Sequence, residues 1–113
     1  MTYTPAPNSE RIRQLNDEFR QTFIGGRVLV TPGIRSLAIE TNAAVLERVR
    51  TFADFTAEND PHGEHDFGSF KIDGRTISWK IDYFDAAMKF GSDDPSDTSK
   101  TTRVLTIMFS SEY

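Results

Sequence analysis

Apolar side chains at Ile12, Leu15, Phe19 and Phe23 recur at spacings of three, four and four, which winds into a single stripe on an α-helix. Asn8 or Ser9 is placed to cap that helix, Glu10 suits the positive end of its dipole, and Gly25 with Gly26 stops it. Residues 27–31 (RVLVT) have the β-branched content of a short, largely buried strand, and Pro32 with Gly33 supplies the turn that ends it. A second helical stripe follows at Val45, Val49 and Phe52, flanked by Leu46 and Ala53, with Thr41 as its cap. Its exit over residues 54–63 is polar and contains Asn59, Asp60 and Pro61, so it reads as an exposed loop delivering the chain to the segment GEHDFG at 63–68.

From residue 67 to residue 84 the period changes from helical to alternating, with Asp73 and Gly74 between the two runs, as a two-residue hairpin with a type I′ turn requires. The turn fixes the register: Ile72 faces Arg75, Phe70 faces Ile77, Gly68 faces Trp79 and, by extension, His65 faces Asp82. Phe70, Ile72, Ile77, Trp79, Ile81 and Tyr83 then share the core face, with Gly68 leaving room for the indole. Lys71, Thr76, Ser78, Lys80 and Asp82 share the other face. Residues 85–101 form a polar loop, and 103–109 resume a strand with Leu105, Ile107 and Phe109 on one side. This order, α-β-α-β-β-β, predicts an α+β two-layer sandwich, two helices against a mostly antiparallel four-stranded sheet. It forms a single domain over 9–113 behind a flexible arm at 1–8. If the last strand lies at a sheet edge, pairing across it offers a route to a homodimer or a toxin–antitoxin pair.

Composition narrows the chemistry. With no cysteine there is no disulfide, thiolate ligand or cysteine nucleophile, which fits a cytoplasmic protein. No apolar run is long enough to span a bilayer, and the N-terminus lacks the apolar core of a signal peptide. Seventeen acidic against thirteen basic residues give a net charge of −4. Residues 54–66 hold five acids and no Lys or Arg, and 82–97 hold five acids and one Lys. Two such patches argue against binding a nucleic-acid backbone. There is no G-x-S-x-G elbow and no glycine-rich phosphate loop, so neither a serine hydrolase nor a nucleotide cofactor is implied, and no cofactor is expected.

Two readings remain for GEHDFG. In one, the register makes His65 and Asp82 cross-strand neighbours. Asp82 then orients the imidazole, with Glu64 and Asp66 nearby, and His62 completes a possible ligand set. That is a metal-assisted hydrolase using Glu64, His65 and Asp82. In the other, the pair is a solvated cross-strand contact and the carboxylates bind loop amides. A different chemistry is offered by Phe67, Phe84, Phe90 and Tyr113 in polar surroundings, with Asp93, Asp94 and Asp97 beside them. Large aromatics ringed by charge are the composition of an interface hot spot, and acidic groups steer a basic partner. The leading expectation is therefore a non-enzymatic, acidic protein-binding module, either monomer or homodimer.

The stretches LNDEFRQTF, NDPHGEHDFG, WKIDYFD, GSDDPSD and TRVLTIMFSSEY together resemble a bacterial family of small proteins known as domain of unknown function 3768, over residues 15–113. The family usually has an aromatic in place of His62, which weakens a metal scheme that needs His62. The resemblance puts Glu64, His65, Asp66, Asp82 and Asp85 in family motif stretches without giving them roles. It implies an accessory role on mobile elements such as plasmids and prophages and identifies no activity; joined to the binding-module expectation, it gives an accessory protein that binds and modulates a host or defence protein.

Overall fold

The N-terminal stripe forms α1 (Ser9–Thr22) in the computed structural model, which describes residues 8–113; the arm expected over 1–8 lies outside the described residues except for Asn8. Ile12 and Phe19 are buried as the spacing requires, but so are Asn16 between them and Arg20 just after. Neither Asn8 nor Ser9 caps the helix through its side chain: Asn8 sits at φ 76° with no side-chain cap bond, and Ser9 is already inside the first turn. At the other end Phe23 takes the left-handed conformation and donates its N–H to the Phe19 carbonyl, so the helix stops two residues before Gly25.

The chain then forms β1 (Gly26–Val30), a short helix α2 (Pro32–Arg35) where only a turn was expected, and α3 (Ile39–Arg50). α3 begins before Thr41, at an N-cap residue, Ala38, that has no capping side chain. Its first turn is tied down by the Asn42 amide, which donates to the Ile34 carbonyl at 2.9 Å. After a loop come β2 (Phe67–Ile72), β3 (Arg75–Phe84), β4 (Thr102–Phe109) and a closing 3-10 turn, Ser110–Glu112. The four strands stand in the order β1-β4-β3-β2, with β1 parallel to β4 and the other pairs antiparallel. The α+β class with a mostly antiparallel four-stranded sheet is as expected.

The hairpin register also holds. Ile72 pairs with Arg75, Phe70 with Ile77 and Gly68 with Trp79. Asp73 and Gly74 both take positive φ, 51° and 76°, as a type I′ turn demands. Trp79 is fully buried, and a Cβ on Gly68 would sit 2.4 Å from its indole nitrogen. The core forms where Phe70, Ile77, Trp79, Ile81, Leu105 and Ile107 of the sheet meet Phe19 of α1, Ile34 of α2, and Val45 and Val49 of α3. Each such apolar side chain stabilises the fold by about 1.5–3 kcal/mol on burial.

Two strand expectations are corrected. β4 is interior rather than at an edge, flanked by β1 and β3, because it is apolar on both sides: Leu105 and Ile107 are buried toward the helices, Val104 and Met108 on the opposite face. A homodimer through this last strand is therefore closed. β1 is an edge strand with only Val28 and Val30 half-buried; Arg27 and Leu29, on the face away from the helices, are exposed. No helix among the described residues is long and apolar enough to cross a membrane.

Candidate functional site at the base of the hairpin

The β2–β3 ladder ends at Phe67 paired with Lys80. Beyond it, the Asp66 carbonyl still accepts from the Ile81 N–H at 2.8 Å, and then the chain leaves the sheet. Gly63 and His65 both adopt left-handed backbone, at φ 67° and 54°, which swings the His65 side chain to the helix side. The Asp60 carboxylate steadies this turn by accepting the His65 N–H at 3.1 Å.

His65 is enclosed by its own fold. Its Nδ1 lies 2.9 and 3.1 Å from the two carboxylate oxygens of Asp17 on α1, and its Nε2 lies 3.6 Å from Asp60 Oδ2. One face of the imidazole is stacked on Phe55, with centroids 3.7 Å apart and planes 4° from parallel. Asp17 is shared with Arg20, whose Nη2 donates to it at 2.9 Å. Arg20 Nη1 donates to the carbonyls of Val49, Arg50 and Phe52 at 3.1, 3.4 and 3.0 Å, so one guanidinium satisfies the C-terminal carbonyls of α3. Its carbon lies 5.0 Å from the centre of the Trp79 ring and 5.4 Å from that of Phe55, a cation–π position on both. Burial pushes the Arg20 guanidinium below its ordinary value, and Asp17 opposes the shift.

A second set of bonds adjoins the first through α1. The fully buried Asn16 donates its amide to the Glu64 carbonyl at 2.9 Å and to the Tyr83 hydroxyl oxygen at 2.8 Å, and accepts from Arg103 Nε at 2.7 Å. The Tyr83 hydroxyl donates in turn to Glu64 Oε1 at 2.8 Å. Burial drives the Tyr83 pKa far above its usual value, so it remains a phenol and a donor. Asp66 is raised too, first by burial and then by the neighbouring charge of Glu64.

These bonds place each residue singled out in the sequence. Glu64 and His65 lie in adjoining networks, but Asp82 is on the opposite face of the sheet, paired with Lys80 Nζ at 3.0 Å, and His62 is exposed. The expected His65–Asp82 neighbourhood does not form, because the left-handed turn at 63–65 ends the ladder two residues before it could. Glu64, His65, Asp82 and His62 are not brought together, and among the described residues no three His, Asp or Glu side chains converge as a metal ion would require. The surface over His65 is a depression of about 180 Å³ lined by Asp17, Arg20, Gln21, Phe52, Ala53, Phe55 and His65, below the ~300 Å³ of a small-molecule site. Through Nδ1 and Asp17, His65 clamps the loop to α1.

The aromatic and acidic candidates are elsewhere. Phe67 and Phe84 lie on the sheet face away from the helices, both half-buried. Phe67 meets Tyr113 edge to face at 6.4 Å, and Lys80 sits 5.6 Å from the Tyr113 ring centre. Phe84 bridges Gly91, and Phe90 accepts from the Asp85 N–H, just beyond Phe84. Asp94 and Asp97 are occupied by local turns, accepting from the amides and hydroxyls of Ser96 and Ser99 respectively, while Asp93 is exposed. Asn16, Asp17, Arg20 and Arg103 were not singled out in the sequence. The visible signal for two of them was that Ile12, Asn16 and Arg20 run at a spacing of four along the apolar stripe, two polar groups where a core residue belongs.

The model of the family described as "Protein of unknown function (DUF3768)" matches residues 30–112. The chain belongs to this family. The matched span contains GEHDFG, the hairpin and β4, whereas α1, which supplies Asn16, Asp17 and Arg20 to the networks, precedes it. No curated protein and no solved structure matches the chain.

Proposed function

We propose that this DUF3768 member is a non-catalytic protein-binding module whose contact surface is the sheet face away from the helices. The observation that carries the reading is the set of aromatics along that face. Phe67 with Tyr113 stands at one side of that face and Phe84 at the other, and Tyr113 is 76% exposed; Phe90, 74% exposed, follows in the turn just beyond Phe84. Aromatics held by a rigid sheet supply contact area at low entropic cost and dominate interface energetics. The net charge of −4 and the exposed Asp93 favour a basic partner by steering its approach. Together with the resemblance to proteins of plasmids and prophages, this points to an accessory role, binding and modulating a host or defence protein in the cytoplasm.

The test is capture from a host lysate by the wild type and by the double variant Phe90→Ala, Tyr113→Ala. Both side chains are exposed, so the variant should unfold within about 1 kcal/mol of the wild type while losing the captured protein. Association of that protein should also slow as salt is raised. Equal capture by the variant, or capture indifferent to salt, overturns this assignment of the surface.

A further inference from the structure

β1 borders the sheet and leaves one row of backbone groups open. Thr31 N–H donates to the Ile107 carbonyl at 3.1 Å, with Val30 opposite Ile107 in the parallel register. In a parallel ladder that phase turns the N–H and C=O groups of residues 27, 29 and 31 toward β4, and leaves those of Gly26, Val28 and Val30 pointing outward. Among the described residues no strand pairs with them. The edge is also held in shape: Gly26 lies against Phe19 and the Arg103 carbonyl, and Thr31 donates its hydroxyl to Glu112 at 2.7 Å. Short as it is, with one exposed charge at Arg27, GRVLV has no Pro, Lys, carboxylate or bulge to block pairing, and Leu29 is 53% exposed.

We propose that the protein forms a twofold homodimer by antiparallel pairing of β1 with β1 of a second copy, centred on Val28. That register alone uses all three outward residues. Val28 pairs with Val28, and Gly26 with Val30 at each end, each pair exchanging two backbone hydrogen bonds. It sets Arg27 opposite Leu29, so the guanidinium stem packs on an apolar side chain and no like charges oppose. Charge permits this pairing in a chain of net charge −4: β1 carries no carboxylate, and Glu112 at its end is occupied by Thr31 and the amides of Gly33 and Phe109. A twofold normal to the sheet makes one continuous eight-stranded sheet (twice the four strands of one copy) with both helix layers on one side, so the dimer presents its two aromatic faces together. Edge pairing buries little area, so the dimer is weak, with a dissociation constant on the order of micromolar.

Sedimentation equilibrium of the full chain up to several hundred micromolar tests this, with amide hydrogen exchange at low and high concentration. Wild type should dimerise, and exchange at Gly26, Val28 and Val30 should slow on dimerisation, while Arg27 and Leu29, already bonded to β4, should not change. Leu29→Arg, at an exposed position, sets Arg against the partner's Arg27 on both sides of the twofold and should weaken the dimer about tenfold or more. Adding Arg27→Glu to that variant should restore it. A monomer at every concentration, which is the result if this edge serves only another protein's extended segment, overturns the proposal. So does a dimer indifferent to Leu29→Arg, or protection at other amides.

Discussion

The two ends of the β2–β3 hairpin use the same backbone conformation for opposite reasons. At the tip, Asp73 and Gly74 turn left-handed at φ 51° and 76°, and the two side chains explain it: glycine has no Cβ to clash, and Asp tolerates the region through local bonding. At the base, Gly63 and His65 turn left-handed at 67° and 54°, and local chemistry explains only the glycine. His65 is held there by Asp17, 48 residues earlier on α1, by Asp60, and by the face of Phe55. A turn written locally can be read from a dipeptide; a turn imposed by distant groups exists only once the layers have packed.

The largest effect should come from the position between the two ends, where they share one support. Gly68→Ala places a methyl 2.4–2.7 Å from three atoms of the Trp79 indole. The ring is fully buried and contacts Phe52, Phe55 and the Arg20 guanidinium, so it has little room to retreat. Overpacking of this kind costs about 1–3 kcal/mol or more. Urea unfolding should show the loss as a lower midpoint with unchanged slope, because the indole sits in the one core of the fold and the domain should fail in one transition.

A smaller change separates the ends. Asn16→Leu keeps the volume on α1 but removes the partner of the Glu64 carbonyl, the Tyr83 hydroxyl and Arg103 Nε at once. Leaving a buried charged donor unpaired dominates the cost, about 2–3 kcal/mol in total. In native-state hydrogen exchange the amides of residues 63–67 should lose protection far more than those flanking the tip at 71–76. Equal loss at both ends would mean that the base is held by the hairpin itself and not by α1.

The same division explains what could be read in advance. The tip, the register and the apolar face of β3 follow from period-two alternation around Asp-Gly, and the structure reproduces them pair by pair from Ile72 to Phe67. Extending that register two residues further put His65 opposite Asp82, and there it failed, because nothing local announces that His65 will leave the strand for α1. β1 misled for a related reason: RVLVT has the composition of a buried strand, but its place at the edge depends on β4, more than seventy residues later, inserting between β1 and β3. Arg20 and Asn16 stood on the apolar stripe in plain view; what they do there requires knowing that the last turn of α3 and the base of the hairpin both end against α1.

The smallest effect sharpens the contrast by charge alone. Asp66, at the base, has its pKa raised by burial first and then by Glu64 and Asp60 nearby, whereas the tip carboxylate, Asp73, is exposed. A carboxyl that holds its proton more tightly folded than unfolded favours the fold at low pH. That contribution is complete below the unfolded value of about 3.9 and is lost as pH rises through the raised folded value. Asp66→Asn removes the ionisation, so at pH 7 the variant should be slightly more stable than the wild type, by less than about 1 kcal/mol because the group is partly exposed and water screens it. The gain should vanish as the pH is lowered through the raised folded value, where the wild-type carboxyl takes up its proton in the fold. Asp73→Asn should leave the tip folded, since asparagine tolerates the left-handed conformation held there. A gain for Asp66→Asn that persists at low pH would assign the effect to a new amide hydrogen bond, leaving charge crowding out of the account of the base.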